Sequence, residues 1–81
     1  MLTLNELSVG ERAFIVDMRN STLCQKLFSM GVFPGSIVEI KKNDKQAESL
    51  VVLINNQTFM LYKDAAETIL TNSIAFDFAM N

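Results

Sequence analysis

Among the 81 residues the single proline stands beside one of three glycines, at Pro34-Gly35, and no other dipeptide in the chain narrows its path so much. Proline fixes φ at the second position of a turn and glycine supplies the positive φ of the third, so Phe33 to Ser36 reads as a type II turn. Whatever precedes this turn must stop and whatever follows must set off in a new direction. Upstream, Leu23, Leu27 and Met30, with Cys24 and Phe28 beside them, recur at three- and four-residue steps, which gives a short helix one broad apolar face. Thr22 and Gln25 have the spacing of a capping box, so the helix is predicted to begin at Thr22. Gly31 ends it, because a left-handed residue satisfies the last carbonyls and glycine adopts that conformation without a Cβ clash. Downstream, Ile37 to Lys42 alternates, with Val38 and Ile40 on one face and Glu39 and Lys41 on the other, the pattern of a half-solvated strand. Gly31, Pro34 and Gly35 are therefore structural turn residues that join one helix to one strand.

A chain of this length makes one domain, near the size at which a single core just suffices, and its 49% hydrophobic content makes that core feasible. One cysteine cannot form an internal disulfide, and small secreted domains usually carry several bridges, so a reducing cytoplasm is the predicted location. No apolar run approaches the roughly 18 residues that span a bilayer, and the N-terminus lacks the order of a signal peptide. Direct membrane insertion is not predicted. The net charge is −2, and the basic residues are scattered except for Lys41, Lys42 and Lys45. A phosphate-binding surface concentrates more positive charge than this, so nucleic acid is not a predicted partner.

Taken in order, Thr3 to Glu6 repeats the capping-box spacing and places Leu4 and Leu7 on one helical turn at an end of the core. Ser8 to Glu11 reads as a turn. Arg12 to Met18 is apolar on both alternating faces around Ala13, Phe14, Ile15 and Val16, which suits a first strand covered on both sides. After the helix, the turn and the strand at Ile37, the polar run Asn43 to Ser49 is a hairpin loop. Leu50 to Ile54 is the most β-prone segment, and Asn55-Asn56 tolerates positive φ as a two-residue turn before Thr58 to Tyr62 returns. Lys63 to Glu67 breaks the alternation with helix formers, with Asp64 as its cap, before Ile69 and Leu70 resume an extended course. In the tail, Ile74, Phe76, Phe78 and Met80 satisfy both a two-residue and a four-residue period, so either a strand or a helix fits them. About five strands with one true helix predict a mainly β fold, a small partly open barrel rather than a layered α/β architecture.

The chemistry-bearing residues are few. Histidine, the commonest general base, is missing, and Cys24 falls on the apolar helix face as a small hydrophobe, so no enzyme is predicted. The run Gly31 to Gly35 lacks the Lys-Ser/Thr that a phosphate loop requires. Transition metals are held by imidazole, thiolate and carboxylate ligands. The chain offers only Glu39, Asp44 and Glu48 close together in sequence, so no metal or other cofactor is predicted. The surplus is apolar instead. Large side chains nearly encircle the short helix, and a helix on one side of a small barrel leaves some of them available for protein contact. Leu23, Leu27, Phe28 and Met30, with Phe33 beyond the helix stop, form the predicted partner-binding set. The tail around Phe76, Phe78 and Met80 suggests self-association or strand addition.

The run Leu27-Phe28-Ser29-Met30-Gly31-Val32-Phe33-Pro34-Gly35, with Leu4, Leu7 and Gly10 before it and Leu61 to Ile69 after it, resembles the FeoA family, the ferrous iron transport protein A domain. That resemblance implies an SH3-like barrel over residues 1–70, with 71–81 as a C-terminal extension. It also implies a small cytoplasmic accessory of ferrous iron uptake, whose partner is an iron permease carrying a GTP-binding domain. The same fold serves as the C-terminal domain of iron-dependent repressors, so the resemblance keeps an Fe(II) carrier or sensor using the carboxylates of Glu39, Asp44 and Glu48 as the alternative.

Overall fold

A computed structural model describes residues 1–74; the predicted tail residues Phe76, Phe78 and Met80 lie outside the described residues. The described residues form six antiparallel strands: β1 (Leu2–Thr3), β2 (Arg12–Met18), β3 (Ile37–Asp44), β4 (Ser49–Ile54), β5 (Gln57–Tyr62) and β6 (Ile69–Ser73). Helix α1 (Ser21–Ser29) follows β2, and the one-turn helix α2 (Lys63–Ala66) follows β5. The sheet order is β1-β6-β2-β3-β4-β5, so it curves without closing and the predicted partly open, mainly β barrel is what forms. A sixth strand is added to the predicted five by Leu2–Thr3, which pairs with Leu70 and Thr71 of β6. Two residues between a polar terminus and a turn carry no period of their own, which is why the pattern did not reveal them. The last strand runs beyond Leu70 to Ser73, with Thr71 fully buried and its hydroxyl donating to the Leu2 carbonyl at 2.8 Å.

One core lies inside the curve. Ala13 and Ile15 of β2, Val38 and Ile40 of β3, Leu50, Val52 and Ile54 of β4, and Ile69 of β6 form its wall. Leu4, Leu7 and Ala66 close one end, from the turn Leu4–Glu6 and from α2. The Thr3 to Glu6 capping box forms as predicted: the Glu6 carboxylate accepts the Thr3 backbone N–H at 2.8 Å, and that bond holds its pKa below the usual glutamate value. The two-faced apolar run in β2 has a different outcome from the one predicted. A bulge between Ile15 and Asp17 shifts the register so that Met18 points inward, while Phe14 stays 40% exposed rather than covered by a neighbouring element. A second bulge, between Ile40 and Lys42, lets β3 continue as far as Asp44 after its buried positions end. The hairpin loop shortens accordingly, with the Asp44 carboxylate accepting the N–H groups of Gln46 and Ala47. At the other hairpin, Asn55 and Asn56 take φ of 54° and 62°, the two left-handed residues of a type I′ turn.

Two predicted caps are corrected. Helix α1 starts one residue earlier than predicted: Asn20 is the cap, its side-chain oxygen accepting from Leu23 N–H at 3.0 Å, and Thr22 lies inside the first turn. Asparagine is as good a cap as threonine, and placing it at position 20 satisfies an amide of the first turn. In α2 the cap position is Tyr62, and the Asp64 carboxylate accepts only from the adjacent Ala65 N–H.

Candidate functional site

The end of α1 is fixed by its own backbone. Val32 N–H bonds the Leu27 carbonyl at 2.9 Å and Gly31 N–H bonds Phe28 at 3.0 Å, with Gly31 at φ +84°. That pair of bonds is a Schellman motif, and Leu27 and Val32, both buried, make the apolar contact that accompanies it. Four residues later Ser36 N–H returns to the Phe33 carbonyl at 2.9 Å with Gly35 at φ +98°, the predicted type II turn. The turn is clamped to β2, because Gly35 N–H donates to Ile15 and Ile15 N–H donates to Ser36. A second clamp comes from the β4–β5 hairpin. The Asn55 side-chain amide donates to the Gly31 carbonyl at 2.7 Å and the Gln57 amide donates to Met30 at 3.1 Å, so the last carbonyls of the helix are capped from across the fold.

This rigid corner sorts the five predicted contact residues into three groups. Leu27 is corrected to a core residue: at 2% exposure it anchors the helix and presents nothing outward. Complete burial of such a side chain contributes about 1.5–3 kcal/mol. Phe28 and Phe33 lie on one flank, 42% and 48% exposed, with ring centroids 5.1 Å apart and planes inclined at 43°. Leu23 and Met30 lie on the other flank, in a groove of about 270 Å³ between α1 and β5 whose remaining wall includes Phe59 and Met60. A helical step of roughly 100° per residue explains the split, since Phe28 is one step from the buried Leu27 on one side and Met30 returns on the other.

The tilted aromatic pair straddles the helix stop, one ring on each side of Gly31. Both backbones are held by hydrogen bonds, so the rings are displayed at little conformational cost, the condition that favours aromatic anchors in protein contacts. The carboxylates of the metal-binding alternative are not gathered: Glu39 sits 3.4 Å from Lys41, Asp44 serves its turn, and no group of three His, Cys, Asp or Glu side chains suited to an ion exists among the described residues. Cys24 packs half-buried against the core. Sequence reasoning missed Asn55, Gln57, Phe59 and Met60. Met60 alone left a signal, as a large apolar residue on the outward phase of an alternating strand. No helix among the described residues is long and apolar enough to cross a membrane.

The family model of the FeoA domain matches residues 2–72. A search of curated proteins finds no significant match. Among solved structures, the FeoA protein from Chlorobium tepidum superposes with a TM-score of 0.85 at 21% identity, over 94% of this chain and 73% of that one. Iron(II) transport protein A from Clostridium thermocellum gives 0.81 at 30% identity, over 90% of this chain and 46% of that one. A manganese-dependent transcriptional repressor gives 0.79 at 19% identity, over 89% of this chain and 41% of its own length, and shares the SH3-like fold.

Proposed function

Because the chain belongs to the FeoA family, whose members are small accessory domains involved in ferrous iron transport, we propose that it is a non-enzymatic cytoplasmic adaptor. It binds the cytoplasmic, GTPase-containing region of the ferrous iron permease, and iron is the cargo of that system rather than a resident cofactor of this chain. The observation that carries the reading is the exposed Phe28–Phe33 pair on a hydrogen-bonded corner. Two adjacent aromatic rings held half in water make a costly surface unless a partner covers them, and aromatic side chains are the usual anchors of such contacts.

Phe28→Asp tests this. The residue lies outside the core, so the circular dichroism spectrum and melting profile should remain those of the parent. Capture of the permease's cytoplasmic region should weaken by at least about thirtyfold, the consequence of losing an anchor worth roughly 2 kcal/mol. Binding unchanged by the substitution removes this face from the proposal.

A further inference from the structure

On the face of the sheet away from the core, polar groups collect around an apolar floor. Arg12, Glu39 and Leu53 stand in one cross-strand row, and their chain neighbours Ala13, Val38, Val52 and Ile54 are buried, so the row points outward. It opens onto a cleft of about 400 Å³ at the end of the sheet, bounded by Gly35 and Ser36 of the type II turn and by the Asn55-Asn56 hairpin turn. Ile37, 37% exposed, and the half-buried Leu53 form its floor.

The unengaged polar groups of this cleft are donors. Arg12 makes no ion pair among the described residues, and Glu39, opposite it across the strands, is held by Lys41 at 3.4 Å. The Ser36 hydroxyl accepts the Phe33 N–H at 3.1 Å, which leaves its own proton without an acceptor among the described residues. The Asn55 amide is engaged by the Gly31 carbonyl, while that of Asn56 has no partner among the described residues. A guanidinium, a hydroxyl and an amide over an apolar floor call for an acceptor that carries negative charge on a hydrocarbon stem. A carboxylate side chain meets both demands.

The cleft also adjoins the surface assigned to the permease. Phe33 and Ser36 are the first and last residues of one turn, which places their Cα atoms within about 7 Å of each other. Pro34 and Gly35 between them are exposed. A partner segment covering the Phe28–Phe33 rings therefore reaches the mouth of the cleft within about two residues of extended chain.

Building on the permease reading, we propose that the cleft receives an acidic side chain of that cytoplasmic region, its carboxylate on Arg12 and Ser36 and its methylenes on Ile37 and Leu53. The aromatic pair anchors the contact, and the cleft selects for charge. Glu39 lines the same cleft with the sign of the incoming group and so weakens the contact.

Two measurements test the proposal. The first needs no permease: acetyl-Leu-Glu-Leu-amide is titrated at millimolar concentration into the full chain and followed by backbone amide shifts. The Ser36, Ile37 and Asn56 signals should move with this peptide, stay still with its glutamine counterpart, and stay still in Arg12→Gln. The second is capture of the permease's cytoplasmic region. Arg12 is exposed and outside the core, so Arg12→Gln should fold like the parent, yet capture should weaken at least about tenfold and lose much of its salt dependence. Arg12→Lys should restore part of the loss, Glu39→Gln should tighten capture, and Arg19→Gln, at the other end of β2, should leave it unchanged. Absence of a carboxylate-dependent shift overturns the proposal. So does an Arg12→Gln chain captured like the parent while Phe28→Asp is captured poorly, a result that leaves the permease reading intact. A parent that is not captured, or capture indifferent to both substitutions, removes that reading and the proposal with it.

Discussion

Gly35 combines φ of +98° with open space, since a Cβ built there would meet nothing within 4 Å. Any cost of a side chain at this position is therefore a backbone cost, the clash of Cβ with the neighbouring carbonyl in the left-handed region. Gly35→Val should destabilise the domain by about 1–2 kcal/mol, read as a lower denaturant midpoint with an unchanged slope. A midpoint equal to the parent's would mean that the turn does not hold this conformation. The neighbouring rings illustrate the opposite case, where the backbone is settled and the side chain is the exposed part. Phe28 and Phe33 contribute little to the core but stand on two of its most constrained segments.

At the scale of elements, α1 holds its place through a narrow set of contacts. Leu27 is its one fully buried residue, with Leu23 and Cys24 packed at the margin. A nine-residue helix is too short to persist in water by itself, so the hairpin amides that cap it contribute directly to its persistence. Asn55→Gly isolates that contribution, because glycine keeps the φ of 54° available while losing the 2.7 Å bond to the Gly31 carbonyl. The variant should lose about 0.5–1.5 kcal/mol of stability, and amide exchange should accelerate at Val32 and Gly31 before it does in β3 and β4. Uniform acceleration across the sheet would show that the hairpin does not support the helix end.

Across the whole molecule, the two ends of the described chain are fastened together. β1 and β6 pair at Leu2 with Thr71 and at Thr3 with Leu70, and the buried Thr71 hydroxyl spans 69 positions of sequence to reach Leu2. Thr71→Val preserves shape but removes the donor, which leaves the Leu2 carbonyl without it. Thermal unfolding should reveal a loss of about 1 kcal/mol with the β-rich circular dichroism spectrum retained. An unchanged melting temperature would show that the carbonyl finds another donor. The open sheet leaves β5 as a free edge on the side where α1 and its groove lie, while the aromatic pair faces away from that groove. One short helix thus separates two apolar surfaces.

Local chemistry in the sequence determined the helix stop at Gly31, the turn at Pro34-Gly35, the hairpin at Asn55-Asn56 and the alternating strands, because each depends on backbone preferences within a few residues. It also marked Leu23, Cys24, Leu27, Phe28 and Met30 as more apolar side chains than a short helix on one side of a small barrel can bury. Tertiary structure alone decided that Leu27 is the sealed position and that Asn55 and Gln57 cap a helix more than twenty positions away. Those outcomes depend on how the curved sheet brings β5 alongside α1, and no local period encodes a distance across the fold.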